Sequence, residues 1–384
     1  MFGVEVEVTD FVSVSGLQRI TRSIDSSDYN FSVYTYNDIT INAENSTGKF
    51  NDVTDSRSLF PYLRDLSKVR VVFSKDGVDF VTYRGLLNEE ATRSDIKSDE
   101  IIFKVLSRDS VIRKAKVEAS SVPSGATFQV ALNAVLGSEG INRILNVSIL
   151  NINPGYNGTV TDGTKFDNRD ARGSLNDLLL VSNSVFLLDA SDNVVIQPRV
   201  QDTVVTPLLL FGKGDLNSRE NIVDISAYNT GLHRLFNSVK INNTVANNLV
   251  SIEQYGAKQR ALSFDFMSGF IAELAVASAL IAEWSFPKIE VEVTIPTSLA
   301  QGYDLLDRVS IDYPLVRRPT GKFLPVYGIT KFGDVAEPFP SVSGSVVISP
   351  TTAFKIIEMR EDTANFLTVM KLRQIGTGLN DGNF

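Results

Sequence analysis

Lys288-Ile289-Glu290-Val291-Glu292-Val293-Thr294-Ile295 decides the fold. Every second residue is β-branched and apolar, and the residues between are charged or polar. That period of two belongs to a strand with one face against a core. Ile289, Val291, Val293 and Ile295 are therefore expected inward, and Lys288, Glu290, Glu292 and Thr294 outward. Just before it, Ser268 to Trp284 reads as the most helical segment of the chain, stopped by Phe286-Pro287 because the residue before a proline disfavours helix. Leu274, Ala275, Ala279 and Ala282 are expected to form its packed face. Beyond it, strand patterns recur at Leu305 to Ile311, Phe323 to Phe332, Ser345 to Ile348, Phe354 to Glu358 and Phe366 to Leu372.

The first hundred residues share this strand character. Val4, Val6 and Val8 alternate with polar residues, and Phe31 to Tyr36, Ile39 to Ile41, Val69 to Phe73, Val78 to Leu87 and Ile101 to Leu106 follow. Asp76-Gly77 closes a hairpin, since both residues tolerate the positive φ of a tight turn. A short helix fits Ser58 to Leu66, with Pro61 confined to its first turn. Near residue 110 the pattern changes. Thr127 to Leu136 has helical spacing ending at Gly137, and Leu175, Leu178, Leu179 and Val181 mark a second helix with Ser174 as candidate cap. Val185 to Leu188 and Val194 to Gln197 form a hairpin, and strands return at Val205 to Phe211 and Ser238 to Asn242. The reading is α+β, mainly β: a barrel or sandwich, a mixed α/β unit, and a second β-rich unit like the first.

Composition narrows the chemistry. The 384 residues carry a net charge of −8 and contain no cysteine and one histidine, His233. Disulfides, iron–sulfur clusters, thiolate zinc sites and multi-histidine metal sites are excluded. An acidic chain whose densest basic cluster is Arg317-Arg318 does not have the electrostatic footprint of a nucleic-acid binder. The N-terminus has no basic signal region, and the apolar stretch Phe270 to Ile281 is too short and contains Glu273, so a soluble protein made without a secretion signal is expected.

Candidate sites fail on spacing. Gly212-Lys213-Gly214-Asp215 places its lysine between the glycines and lacks the Ser or Thr of a phosphate loop. Asp189-Ala190-Ser191-Asp192-Asn193 has Val194 and Val200 where a calcium loop needs glycine and glutamate. Glu290 and Glu292 share a strand face and could supply paired carboxylates, but the pattern fits a solvated face better. His233 lies between Leu232 and Leu235 in what reads as a partly buried segment. No catalytic, cofactor-binding or metal-binding residue is assigned. The residues alone describe a β-rich binding or assembly protein.

Several segments, in order, resemble the phage tail hub or baseplate hub family. Phe80-Val81-Thr82-Tyr83-Arg84-Gly85-Leu86-Leu87 resembles the last hairpin of that family's first barrel. Leu178-Leu179-Leu180, Val185 to Asp189 and Asn193 to Pro198-Arg199 are similar to its helix and hairpin. Phe236 to Ile241, and Ser251 to Tyr255-Gly256-Ala257-Lys258, look like the strand and stretch that follow. Trp284-Ser285-Phe286-Pro287, the alternating strand, and Asp304-Leu305-Leu306-Asp307-Arg308-Val309 look like the return to a second barrel, with Leu306 where the family has glycine. Phe354 to Glu358 and Thr368 to Arg373 resemble the closing hairpin.

The resemblance implies two tail-tube-like β-barrels per chain with an inserted α/β lobe. It places the first barrel at 1–112, the lobe at 113–205 plus 245–287, the second barrel at 206–244 plus 288–373, and a flexible tail at 374–384. It implies a structural virion protein at the tail tip or baseplate, assembled in the host cytoplasm, and no enzyme. Three chains would form a pseudo-six-fold ring around a channel through which DNA passes without specific binding. The implied partners are the tail tube or distal tail protein, the tape measure protein and a central spike or fibre protein, with no small-molecule substrate and no cofactor. The outward residues of the alternating strand would then face solvent, the channel or a neighbour. The same fold family includes the hub of type VI secretion spikes. A distal tail protein, with one barrel in a hexamer, is the alternative, and a carbohydrate-cleaving tail enzyme is a further one.

Overall fold

The computed structural model describes residues 7–17, 19–24, 35–50, 59, 63–64, 66–88, 93–94, 99–138, 140–189, 193–199, 207–212, 219–229, 231–312 and 353–375. The strands expected within 1–6, 31–34, 323–332 and 345–348 lie outside these residues, as does most of the helix expected at 58–66.

The N-terminal part contributes β1 (Val12–Leu17), β2 (Ile20–Ser23), β3 (Thr35–Tyr36), β4 (Ile39–Glu44), β5 (Lys68–Lys75), β6 (Val78–Leu87), β7 (Arg93–Ser94) and β8 (Glu100–Ser107). Six of these form an antiparallel sheet in the order β1-β4-β8-β6-β5, with β7 on β8. The β5–β6 turn has Asp76 at φ 51° and Gly77 at φ 78°, both left-handed, which matches the twist of the flanking strands. Alternation buries Ile39, Ile41 and Ala43 against Ile101, Phe103 and Val105, around Phe50 and Tyr83. The Tyr83 hydroxyl donates to the Asn37 carbonyl at 3.0 Å, satisfying its one polar atom inside this core.

The middle of the chain supplies α1 (Ser110–Lys114), α2 (Phe128–Leu136), α3 (Ala171–Val181), and the hairpin of β9 (Ser184–Leu188) with β10 (Val194–Pro198). Thr127 caps α2 by accepting from the Val130 amide. Asp170, not Ser174, caps α3, accepting from the Gly173 amide at 2.6 Å, while Ser174 is buried inside the first turn.

Next come β11 (Leu208–Phe211), β12 (Asp224–Asn229), β13 (Ser238–Ile241), β14 (Thr244–Asn247), α4 (Leu249–Tyr255), β15 (Gln259–Leu262), α5 (Phe270–Trp284), β16 (Glu290–Pro296), α6 (Thr297–Ala300), β17 (Arg308–Asp312), β18 (Ala353–Asp362) and β19 (Leu367–Gln374). A second sheet runs β11-β17-β18-β19-β16-β12. Ile289, Val291, Val293 and Ile295 are all buried in it, as their alternation requires. The sheet curls until its ends meet. Asn221 and Ile222, just before β12, bond β11 four ways: both amides donate to the Phe211 carbonyl, the Asn221 side-chain oxygen accepts from the Phe211 amide, and the Asn221 side-chain amide donates to the Leu209 carbonyl. The next residue, Val223, already bonds Thr294 of β16 at 2.8 Å.

The boundaries differ from the expected ones in three places. Ser238 to Ile241, assigned with 206–244 to the second barrel, instead forms a separate three-stranded sheet, β14-β13-β15, packed under α5. Asn237 fixes this arrangement: its side-chain oxygen accepts from the Lys258 amide at 2.7 Å, and its side-chain amide donates to the Gly256 carbonyl at 2.8 Å. Second, the 1–112 unit is not self-contained, because β2 pairs antiparallel with β18, and β3 pairs with β2. Third, the tail starts later than 374, since the Gln374 amide bonds Ile289 and the Ile375 amide bonds Ala353; residues 376–384 lie outside those described.

Leu306 takes a φ of 70°. A leucine in the left-handed region costs roughly 1–2 kcal/mol. It is held there because its side chain is buried and its amide donates to the Ile356 carbonyl at 2.8 Å. The resemblance puts glycine at this position, and the backbone shape explains why.

α5 begins at Phe270 rather than Ser268, and its buried face differs from the expected one. Glu273, Val276, Ala277, Leu280, Ile281 and Trp284 are buried, whereas Ala279 is half-buried and Ala282 exposed. Ala277→Arg should therefore cost roughly 2–5 kcal/mol in urea denaturation, because it forces an unpaired charge into the core. Ala282→Arg should leave the midpoint within experimental error.

Candidate functional site

The sites weighed from the sequence do not come together. His233 is exposed, and its Nε2 accepts from Arg234 Nε at 3.2 Å. Asp189 closes the β9–β10 turn, its two carboxylate oxygens accepting from the Asn193 amide and side chain at 2.9 and 2.7 Å. Residues 213–215 lie outside those described. Among the described residues no group of three or more His, Asp or Glu is placed to hold a metal ion. None of their helices is long and apolar enough to cross a membrane.

Glu290 and Glu292 diverge. The expected outward position of Glu290 is corrected: it is only 5% exposed. Antiparallel register sets Arg373 opposite it, and Arg373 Nε and Nη2 each lie 2.8 Å from Glu290 Oε1. Arg234 Nε adds a third contact at 3.3 Å, and Lys371 Nζ lies 4.0 Å from Oε2. The last strand therefore brings cations that turn an outward carboxylate into a buried one. Glu292 remains half-buried, accepting from Ser226 Oγ at 2.8 Å and pairing with Arg360. Neither carboxylate is left for acid–base work.

Around Glu290 lies a pocket between the α/β lobe and the second sheet. Arg234, Glu283, Lys288, Glu290 and Arg373 supply its charge, with Trp284 and Phe286 as apolar lining. Gly231 closes it: at φ 74° the backbone comes so near that a Cβ there would lie 2.1 Å from the Lys288 carbonyl oxygen. Behind the pocket, Arg199 is buried at the end of the lobe hairpin. Its Nε donates to the Ser184 carbonyl at 3.1 Å, its Nη1 lies 3.9 Å from Glu283 Oε2, and its own carbonyl accepts from Lys355 Nζ at 3.3 Å. Burial pulls the Lys288 ammonium below its ordinary value; Glu283 opposes this, and Arg373 and Arg199 add to it. Sequence reading missed this group because Arg199 and Arg373 lie far along the chain from Glu283 and Lys288.

Two more ion clusters sit at joints. Arg22 on β2 reaches Glu361 Oε1 on β18 at 2.5 Å and Asp304 Oδ1 at 3.3 Å. The buried Asp109, at the start of α1, lies 3.6 Å from Arg113 Nε and 3.9 Å from Arg172 Nη1 on α3, and Arg113 also reaches Asp38 at 3.1 Å. Each cluster spans pieces that no short loop connects, so the geometry fixes units relative to one another.

Removing one partner of a buried ion pair leaves an uncompensated charge, so Glu290→Ala should destabilise the chain by about 3–5 kcal/mol in urea titration. Lys288→Met should do the opposite at neutral pH. Between the lowered folded value and the ordinary 10.5, the unfolded chain binds more protons at Lys288 than the folded chain does. Wild-type stability therefore rises with pH across that window. The advantage of Lys288→Met should shrink as pH climbs, measured as the difference between the two denaturation midpoints from pH 7 to 10.5.

No protein-family model matches the sequence, and no curated protein does. Solved structures match it. The tail protein from Neisseria meningitidis MC58 aligns with a TM-score of 0.54 at 11% identity, over 96% of this chain and 93% of that one. Prophage tail protein gp18 from Listeria monocytogenes EGD-e aligns with a TM-score of 0.52 at 12% identity, over 95% and 89%. The 43 kDa tail protein of prophage MuSo2 from Shewanella oneidensis aligns with a TM-score of 0.50 at 10% identity, over 93% and 92%. At such identities the likeness is one of fold, and it agrees with the resemblance read from the sequence: from its first sheet to its closing hairpin, the chain has the fold of these phage tail proteins.

Proposed function

We propose that the chain is a structural protein of a phage tail tip or baseplate and acts there as the hub. Three copies would form a pseudo-six-fold ring, each contributing two barrels, with the tail tube or distal tail protein on one side and a spike or fibre on the other. The observation that carries this reading is one chain with two curled β-sheets and an α/β lobe, aligned end to end with whole tail proteins. In this proposal the first barrel is 1–112 with β2 and β3 lent to the second, and the lobe is 113–205 plus 245–287 together with β13. The remainder of 206–244 and 288–373 makes the second barrel. A distal tail protein, with a single barrel, accounts for only one of the two sheets. A glycosidase using Glu290 and Glu292 is disfavoured because both carboxylates are engaged by arginines.

The channel is proposed to pass DNA without holding it, which a chain of net charge −8 favours. Glu290 does not contribute to a lining, because its charge is neutralised internally. Native mass spectrometry of the whole chain should give a species near three times 42.2 kDa. A stable six-copy species would instead favour the distal tail protein.

A further inference from the structure

We propose that Lys288 is a modification site: its side-chain amine takes a small, uncharged aldehyde from the pocket and holds it as an imine. The proposal is independent of the hub reading. Lys288 lines the pocket, half-buried, with neither a hydrogen bond nor an ion pair to a described residue. Glu283 lines the same pocket, and its Oε2 is buried without a hydrogen bond. The other charged groups around them are engaged: Arg373 and Arg234 hold Glu290, and Arg199, behind, donates to the Ser184 carbonyl. A solvated ammonium keeps its proton and does not attack a carbonyl. An amine that loses its water shell without gaining a partner gives that proton up more readily. Burial lowers Lys288 in this way; Glu283 opposes it, and Arg373 and Arg199 add to it. The cavity is small, about 40 Å³, room for roughly three water-sized groups. Trp284 and Phe286 give it an apolar lining that suits a carbonyl compound of two carbons. Being uncharged, such a compound meets no repulsion from the Glu283 carboxylate.

The reaction needs only the two groups left without hydrogen bonds. The Lys288 Nζ lone pair attacks the carbonyl carbon, and the C=O π pair passes to oxygen, which takes one proton from the nitrogen. The Glu283 carboxylate takes the second Nζ proton and passes it to the new hydroxyl, which leaves as water while the C=N bond forms. Amine and aldehyde thus give imine and water, with no oxidant or reductant.

The test is limited reductive ethylation of the whole folded chain near neutral pH with acetaldehyde and sodium cyanoborohydride, which traps the imine, followed by mass spectrometry of tryptic peptides. Lys288 should be ethylated severalfold faster than the exposed Lys104, Lys114 and Lys116. Lys68 is the sharper control, because burial and neighbouring arginines lower it too, but it is exposed on a sheet face. Lys288 should outpace it as well. In concentrated urea the preference for Lys288 should vanish. Glu283→Gln should move the midpoint of the pH–rate profile at Lys288 downward, since an opposing charge is lost, and reduce its high-pH plateau severalfold. Ethylation of Lys288 no faster than that of the exposed lysines, a rate at Lys68 equal to it, or a preference that persists in urea overturns the proposal. An unchanged plateau in Glu283→Gln overturns the role given to Glu283.

Discussion

Ile20–Ser23 carries the chain out of one sheet and into the other, and the relation between the two β units depends on that crossing. Ile20 is buried in the core of the first sheet, and Ile24, four residues later, in the core that the second sheet shares with the lobe. Between them, Arg22 lies buried and is held by Glu361 on the neighbouring strand. Register makes this possible: Arg22 pairs with Met359, which puts Glu361 diagonally across on the same face. A hydrophobic residue at Arg22 could give comparable stability, but the ion pair is satisfied in only one register. Its contribution is to alignment more than to free energy.

The same logic extends to the other joints. Asp109 with Arg113 and Arg172 fixes the end of the first sheet against α3, and Glu290 with Arg373 and Arg234 fixes the second sheet against the lobe. Apolar burial drives the assembly of each unit but is non-directional. Buried charges supply direction, since a pair displaced by a few ångströms loses its compensation. Such joints hold the units in one relative orientation.

Much of this was legible in the sequence wherever a local period set the outcome. Ile289, Val291, Val293 and Ile295 alternate and are buried; Asp76-Gly77 is a left-handed turn; Phe128 to Leu136 is a helix ending at Gly137. What failed was what depends on partners distant in the chain. Glu290 reads as solvent-facing until Arg373 arrives opposite it. Ser238 to Ile241 reads as one more barrel strand until Asn237 ties it to Lys258. The face of α5 was misjudged because alanine is compatible with either side, and only the position of β13 and β14 decides between them. The pocket at Lys288 left no sequence signal, because its charged groups come from β16, β19, α5 and the loop before β13.

The pairing of β2 with β18 also constrains when the protein can complete itself. Arg22 and Glu361 are 339 residues apart. At ribosomal speeds of roughly 5–20 residues per second, β2 is made on the order of 20–70 seconds before its partner strand exists. Its β3 edge can pair at once, but until β18 exists the backbone groups on its other edge, and the Ile24 amide, lack their native partners. The first sheet can form while synthesis continues, but the β18 edge of the crossing strand must wait, so the two β units lock together only after β18 has been made. Non-local pairing of this kind makes folding slow and leaves an unpaired strand at risk of joining another chain.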